Sequence, residues 1–281
     1  MEEKNLTRRT PTEIEAQKAL LATDFTGYEG MTSDMLNVPF LKIAQTNSLA
    51  IDNRDDPNDS LDPGRIAGLR PGMFYNTQSG RSFKKEIRVI ALFAKSSYLY
   101  YGDGLGNFKG EFSESQIAEM EKKGTLIRNE GAPGWHDKEK GKAFFAITFY
   151  CFLPDFPEEG ILPLVAKSTA LKHAKNWNSL SNGMTIKVGK EIRKAARFQL
   201  VWKIKTLADE NDSGKWHNIG NKTGSGIEFV GNVFEPNFSS CLPALADAVR
   251  LVETMKDKQL NYASETKDES GIADDVNQFE D

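Results

Sequence analysis

Short apolar stretches alternate with long polar ones along this chain, and the spacing inside each stretch predicts its element. Residues 1–36 are polar, with one helical pattern at Thr12–Ala22 that has Thr12 as cap and Ile14, Ala19, Leu20 and Leu21 as a weak stripe. The core is expected to begin at Asn37–Gln45, NVPFLKIAQ. Asn53–Arg65 follows, dense in Asp, Asn, Pro and Gly, which is loop chemistry. Pro71–Leu92 predicts two strands about a turn at Gln78-Ser79-Gly80. In the second, Ile87, Val89 and Ala91 alternate with Arg88, Ile90 and Leu92, so the strand is apolar on both faces. Ser113–Lys123 predicts a short helix, with Ser113 and Gln116 as a capping box and Ile117 and Met120 turned inward. Gly102–Gly110 and Arg128–Lys142 read as loops, the latter with Trp135 at its tip. Ala143–Leu153, AFFAITFYCFL, is continuously apolar and predicts a central strand, and Ile161–Ala166 predicts another.

Downstream, Thr169–Leu180 predicts a helix capped by Ser168, with Ala170, Ala174 and Trp177 on one side and Lys172, Lys175 and Ser179 on another. Phe198–Thr206 alternates: Phe198, Leu200, Trp202 and Ile204 face one way, Arg197, Gln199, Val201, Lys203 and Lys205 the other. Asp209–Gly226 reads as a polar loop and Ile227–Phe234 as a last strand. From Ser239 to about Lys258 runs an amphipathic helix with Leu242, Leu245, Val249, Val252 and Met255 on one face. The chain thus divides into a polar extension (1–36), a β-rich α+β core (37–260) and a tail (261–281).

Charge changes this picture. The chain carries −4 overall, yet Lys167–Lys205 holds ten Lys and Arg residues against the single acid Glu191, interleaved with Trp177, Phe198 and Trp202. Cations and flat rings together suit a single nucleic-acid strand, the cations taking phosphates and the rings taking bases. The same block also reads as a solvated basic face over core aromatics. Tyr98, Tyr100 and Tyr101 are likewise either packed at a strand end or a stacking platform. Ser264–Asp281 has seven acids and one base, with only Ile272, Val276 and Phe279 apolar, and is expected to be disordered. Such a tail can lie in its own basic groove until nucleic acid displaces it.

The function classes left are few. No metalloprotease, Walker or nucleophile-elbow motif is present, and Gly102–Gly110 lacks the Gly-Lys-Ser/Thr ending of a phosphate loop, so no enzyme and no cofactor is expected. Cys151 and Cys241 form no pair motif, and His136, His173 and His217 are scattered, so neither a disulfide framework nor a metal site is expected. The longest apolar run is too short to span a bilayer, which takes ~20 residues, and the first residues lack a signal-peptide core. The expected location is the cytoplasm, away from membranes.

Four stretches resemble a widespread family of phage and prophage proteins: VPFLKIAQ (Val38–Gln45), PGMFYNTQSG (Pro71–Gly80), AKSTALKHAKNWNSL (Ala166–Leu180) and FQLVWKIKT (Phe198–Thr206). The resemblance spans about Leu36 to Met255. It implies a single-stranded-DNA-binding protein of phage replication or recombination, working in the bacterial host cytoplasm. The layout also resembles phage replication proteins with an OB-type barrel and an acidic tail, although here Glu280 and Asp281 follow Phe279. The expected fold is an OB-like mixed β-barrel elaborated with helices, long loops and the disordered tail. Lys167, Lys172, Lys175, Arg193, Arg197, Lys203 and Lys205 are the expected phosphate contacts, and Tyr98, Tyr100, Tyr101 and Trp177 the expected stacking rings. Asp274, Asp275, Phe279, Glu280 and Asp281 are the expected docking residues for phage or host replication and recombination proteins. A homo-oligomer is compatible with the pattern. Two further readings share it: a single-strand annealing recombinase, and an interaction protein that inhibits an acidic host partner.

Overall fold

The computed structural model describes residues 39–54, 60–103, 108–129, 134–188, 190–211, 214–221 and 223–255. The chain divides after Leu36 into two units, and the fold below is that of the second. The helix expected at residues 12–22 and the acidic tail lie outside the described residues.

Strands β1 (Leu41–Ile43) and β2 (Phe74–Asn76) form a small antiparallel pair. The long β3 (Glu86–Tyr101) follows, then β4 (Phe108–Phe112), helix α1 (Glu114–Lys122) and the short β5 (Ile127–Arg128) and β6 (Trp135–His136). Next come β7 (Lys142–Phe152), β8 (Ile161–Lys167), helix α2 (Ala170–Gly183) and a hairpin of β9 (Thr185–Val188) and β10 (Glu191–Lys194). The chain continues through β11 (Leu200–Lys205), β12 (Leu207–Asn211), β13 (Gly214–Asn218), β14 (Gly220–Asn221), β15 (Gly224–Ser225) and β16 (Ile227–Asn232) to helix α3 (Leu242–Met255).

The expected central strand is β7, paired antiparallel with β3 over nearly its whole length. β3 pairs β11 at one end and β4 at the other, β11 pairs β16, and β7 pairs β8 and β6. The sheet is open: among the described residues β16 and β8 do not meet, so the expected barrel does not close. The reason lies in β7 and β3. Both are apolar on both faces, and a barrel offers only one interior, so a strand of this kind needs a covering layer on each side. Ile87, Val89, Ala91, Ile147, Phe149, Cys151, Leu200 and Trp202 bury against α2. Ile90, Leu92, Tyr150, Phe152 and Val201 bury against α3 through Leu245, Ala248 and Val252.

A bulge between Ala91 and Phe93 reverses the phase of β3. Beyond it the even residues join the α2 face, which is how Tyr98 and Tyr100 come to share a face with Val89. Helix α1 has the expected capping box, with both Ser113 and Gln116 bonds made and Ile117 buried beneath it. Several boundaries differ from expectation. Helix α2 starts at Ala170 from Thr169 without a side-chain cap, because Ser168 sits at φ 49° and offers its carbonyl, not its hydroxyl, to Leu171 N–H at 3.1 Å. Residues Arg197–Gln199 form a 3₁₀ turn, so the alternation begins only at Leu200 and Phe198 packs on the α3 side with Val201. The polar stretch 209–226 folds into hairpins, β12 with β13 and β14 with β15.

Candidate nucleic-acid interface

The basic block does not assemble on one surface; the sheet divides it. Lys172 and Lys175 are exposed on α2, over one face. Lys203 and Lys205 alternate with Trp202 and Ile204, which places them on the α3 face, where Lys203 pairs with Glu228 at 2.5 Å. Lys167 ends β8 on that same α3 face, its ammonium 5.5 Å from the Tyr101 ring centroid. Arg193 is exposed on the β9–β10 hairpin. Arg197 is turned inward, 5.9 Å from the Phe149 ring, and burial lowers its pKa.

The aromatic candidates separate too. Trp177 is fully buried, stacked on Phe149 at 4.3 Å and edge-on to Trp202 at 6.3 Å, so it belongs to the core. Tyr101 is 1% exposed, enclosed by Phe108 and Phe144. Tyr100 donates its hydroxyl hydrogen to Asp137, and its pKa is pushed up to about 12, first by burial and then by that bond. Tyr98 is half-buried, and burial also raises its pKa.

Around Tyr98 the pairing of β3, β6 and β7 builds something the sequence did not announce. Tyr98 is the cross-strand neighbour of Phe145 on β7, edge-on at 5.4 Å. Trp135, paired beside Ala143 on β6, meets Tyr98 edge-on from the other side at 5.1 Å. Lys175 reaches over the Phe145 ring at 5.8 Å, and Arg128 over the Trp135 ring at 5.5 Å. The result is a continuous row of cation, three half-buried rings and cation on the α2 face of the sheet. Its α1 border is mixed in charge: Trp135 Nε1–H donates to Glu121 at 3.0 Å, and the charge of Glu114 reaches Tyr98. Phe145, Trp135 and Arg128 were missed in the sequence. Phe145 lay within the apolar run, where only its odd phase with Ala143 and Ile147 marks the face it occupies.

Among the described residues no group of His, Cys, Asp and Glu is arranged to hold a metal ion, and no helix is long and apolar enough to cross a membrane. Two histidines matter for stability. Burial lowers the pKa of His173 and of His217, with Lys172 and Lys85 respectively adding to the effect. The unfolded chain therefore takes up protons first as pH falls through the ordinary value of about 6.5, and stability present above that value is lost below it. The expected result is a lower melting temperature at about pH 5.5 than at about pH 7.5, with a smaller difference in the His173→Gln, His217→Gln double variant. Thermal denaturation followed by circular dichroism checks it.

A family model described as Pam3 phage gp34-like protein matches residues 11–235, which takes in the whole sheet and the basic block but not α3. No curated protein and no solved structure matches the chain. The match covers well over half of the sequence, so the chain belongs to the Pam3 phage gp34-like protein family.

Proposed function

We propose that this phage-family protein binds single-stranded DNA, with little sequence preference, across the α2 face of its sheet, and that it protects and presents the strand in replication or recombination. One observation carries the reading: the row Lys175, Phe145, Tyr98, Trp135, Arg128, in which three partly open rings lie between two cations. Every base has a face to stack on, so such a row holds any sequence, and each stacked base is worth about 1–3 kcal/mol. An open sheet serves as the platform; the reading does not depend on OB-type closure. The acidic tail would compete for the basic surface and, once displaced, dock partner proteins.

The test is a competition titration with labelled single-stranded oligonucleotide against unlabelled single-stranded and duplex DNA. Single strands should compete far better, because the partly open rings can stack on unpaired bases, which a duplex does not offer. Equal or better competition by duplex would overturn the proposal.

Salt dependence separates the two faces. Each phosphate contact adds about −0.7 to the slope of log K against log salt. Lys175→Ala should flatten that slope by about 0.7. Lys203→Ala should leave it unchanged, since Lys203 lies on the α3 face against Glu228. Affinity measured at several salt concentrations decides which lysine meets the strand.

A further inference from the structure

Beside Lys172 and His173, a hollow of about 270 Å³ opens between α2 and the β14–β15 turn. Lys172, His173 and Asn176 line it from the helix, and Asn221, Thr223, Gly224 and Ser225 from the turn. No carboxylate is among the lining residues. His173 is only 7% exposed, and its ring makes no hydrogen bond among the described residues. Neither ring nitrogen is cut off from solvent, so the imidazole is open to a ligand in the hollow. The ring is also held in place: a Cβ on Gly220 would sit 2.3 Å from its Nδ1, so the backbone can lie against the ring only as glycine. The described residues of the facing turn are hydrogen-bonded through Asn221. Asn221 Oδ1 accepts from Thr223 N–H at 3.0 Å, Thr223 Oγ1–H at 2.7 Å and Gly224 N–H at 3.1 Å, while Asn221 Nδ2 donates to the Ala208 carbonyl. Asn218 ties the same segment to the start of α2 by donating to Thr169 Oγ1 at 2.9 Å. Lys172, His173 and Asn176 thus line a hollow with no carboxylate among its lining residues.

We propose that this hollow is a phosphate-binding site, taking the phosphate monoester of a free nucleotide or of a DNA 5′ end, with Lys172, His173 and Asn176 as its ligand-holding residues. A phosphate supplies acceptor oxygens to all three donors at once, and charge-assisted bonds of this kind are the stronger ones. Asp209, on β12, is the acid whose charge reaches the ring, and it does not line the hollow. The site is separate from the aromatic row and does not depend on strand binding.

The experiment follows the imidazole resonances of the full-length protein by NMR with labelled histidine; three histidines keep the spectrum assignable. Inorganic phosphate is titrated against sodium chloride of matched ionic strength. His173 should shift saturably with phosphate while His136 and His217 stay still. Asn176→Asp, an exposed change that puts a carboxylate into the hollow, should weaken the response about tenfold or more, as should Lys172→Glu. Failure of His173 to shift, an equal shift with chloride, or an unchanged response in both variants would overturn the proposal. Thymidine monophosphate and oligonucleotides with 5′-phosphate or 5′-hydroxyl then identify the source. Tighter competition by the 5′-phosphorylated strand than by the nucleotide assigns the site to DNA ends, and equal competition assigns it to free nucleotides. A protein that responds to phosphate yet binds no 5′-hydroxyl strand would retain this site and lose the strand-binding reading.

Discussion

Phe145→Ala is expected to weaken single-stranded-DNA binding by about 1–3 kcal/mol, roughly five- to 150-fold, while leaving the protein folded. Phe145 links the rings of the proposed platform to its cation on α2. It joins Tyr98 to the α2 side of the row, and it is the ring that Lys175 covers. Its loss removes a stacking face and strands the ammonium from the aromatic surface that orients it. The side chain is half-buried at the edge of the core, so truncation also lowers stability, and circular dichroism must show that the variant is folded at the titration temperature. Lys205→Ala is the matched control, exposed on the α3 face, and should bind like the wild type. Equal loss in both variants would mean that charge alone, not the aromatic row, holds the strand.

Trp177→Ala is expected to be the most destabilising of these changes, by about 3 kcal/mol, at the low end of the usual 3–5 for a buried aromatic. The indole is 0% exposed and anchors α2 to the sheet through Phe149 and Trp202. Removing it leaves a cavity under the helix that carries Lys172 and Lys175. The low end applies because its buried Nε1–H has no partner among the described residues, so the truncation also removes an unsatisfied donor. Urea denaturation measures the loss, and a value under about 1 kcal/mol would be inconsistent with a load-carrying ring at this position. Trp177→Phe keeps most of the packing and should leave DNA affinity unchanged, which separates this core role from the stacking role that composition suggested.

Much of the fold was legible because it depends on local pattern. The unbroken apolar run at 143–153 marked a central strand, the stretch after Phe83 a strand apolar on both faces, and the capping box at Ser113 the start of α1. The same two-faced pattern calls for cover on both sides, which the expectation of a barrel did not take into account. Where the chain departs from simple alternation the reading slipped. The bulge after Ala91 and the 3₁₀ turn at Arg197 each shift phase by one residue, and one residue moves every following side chain to the other face. That is why Arg197, read on one strand face with Lys203 and Lys205, turns instead toward Phe149 on the other side of the sheet. The aromatic row was illegible for a different reason. Tyr98, Trp135 and Phe145 lie in three separate stretches, and only the pairing register of β3, β6 and β7 brings them together. Lone residues of the basic block, Lys172 and Lys175, were correctly placed on the outer side of their helix because helical periodicity alone decides that.

The central claim is that a DNA strand lies on the α2 face. Ultraviolet crosslinking of the full-length protein to oligothymidine, followed by peptide mapping, tests it most directly. The predicted adducts fall at Tyr98, Trp135 and Phe145, on peptides from β3, β6 and β7. Adducts confined to the α3 face around Lys203 and Lys205, or none at saturating oligonucleotide, would contradict it.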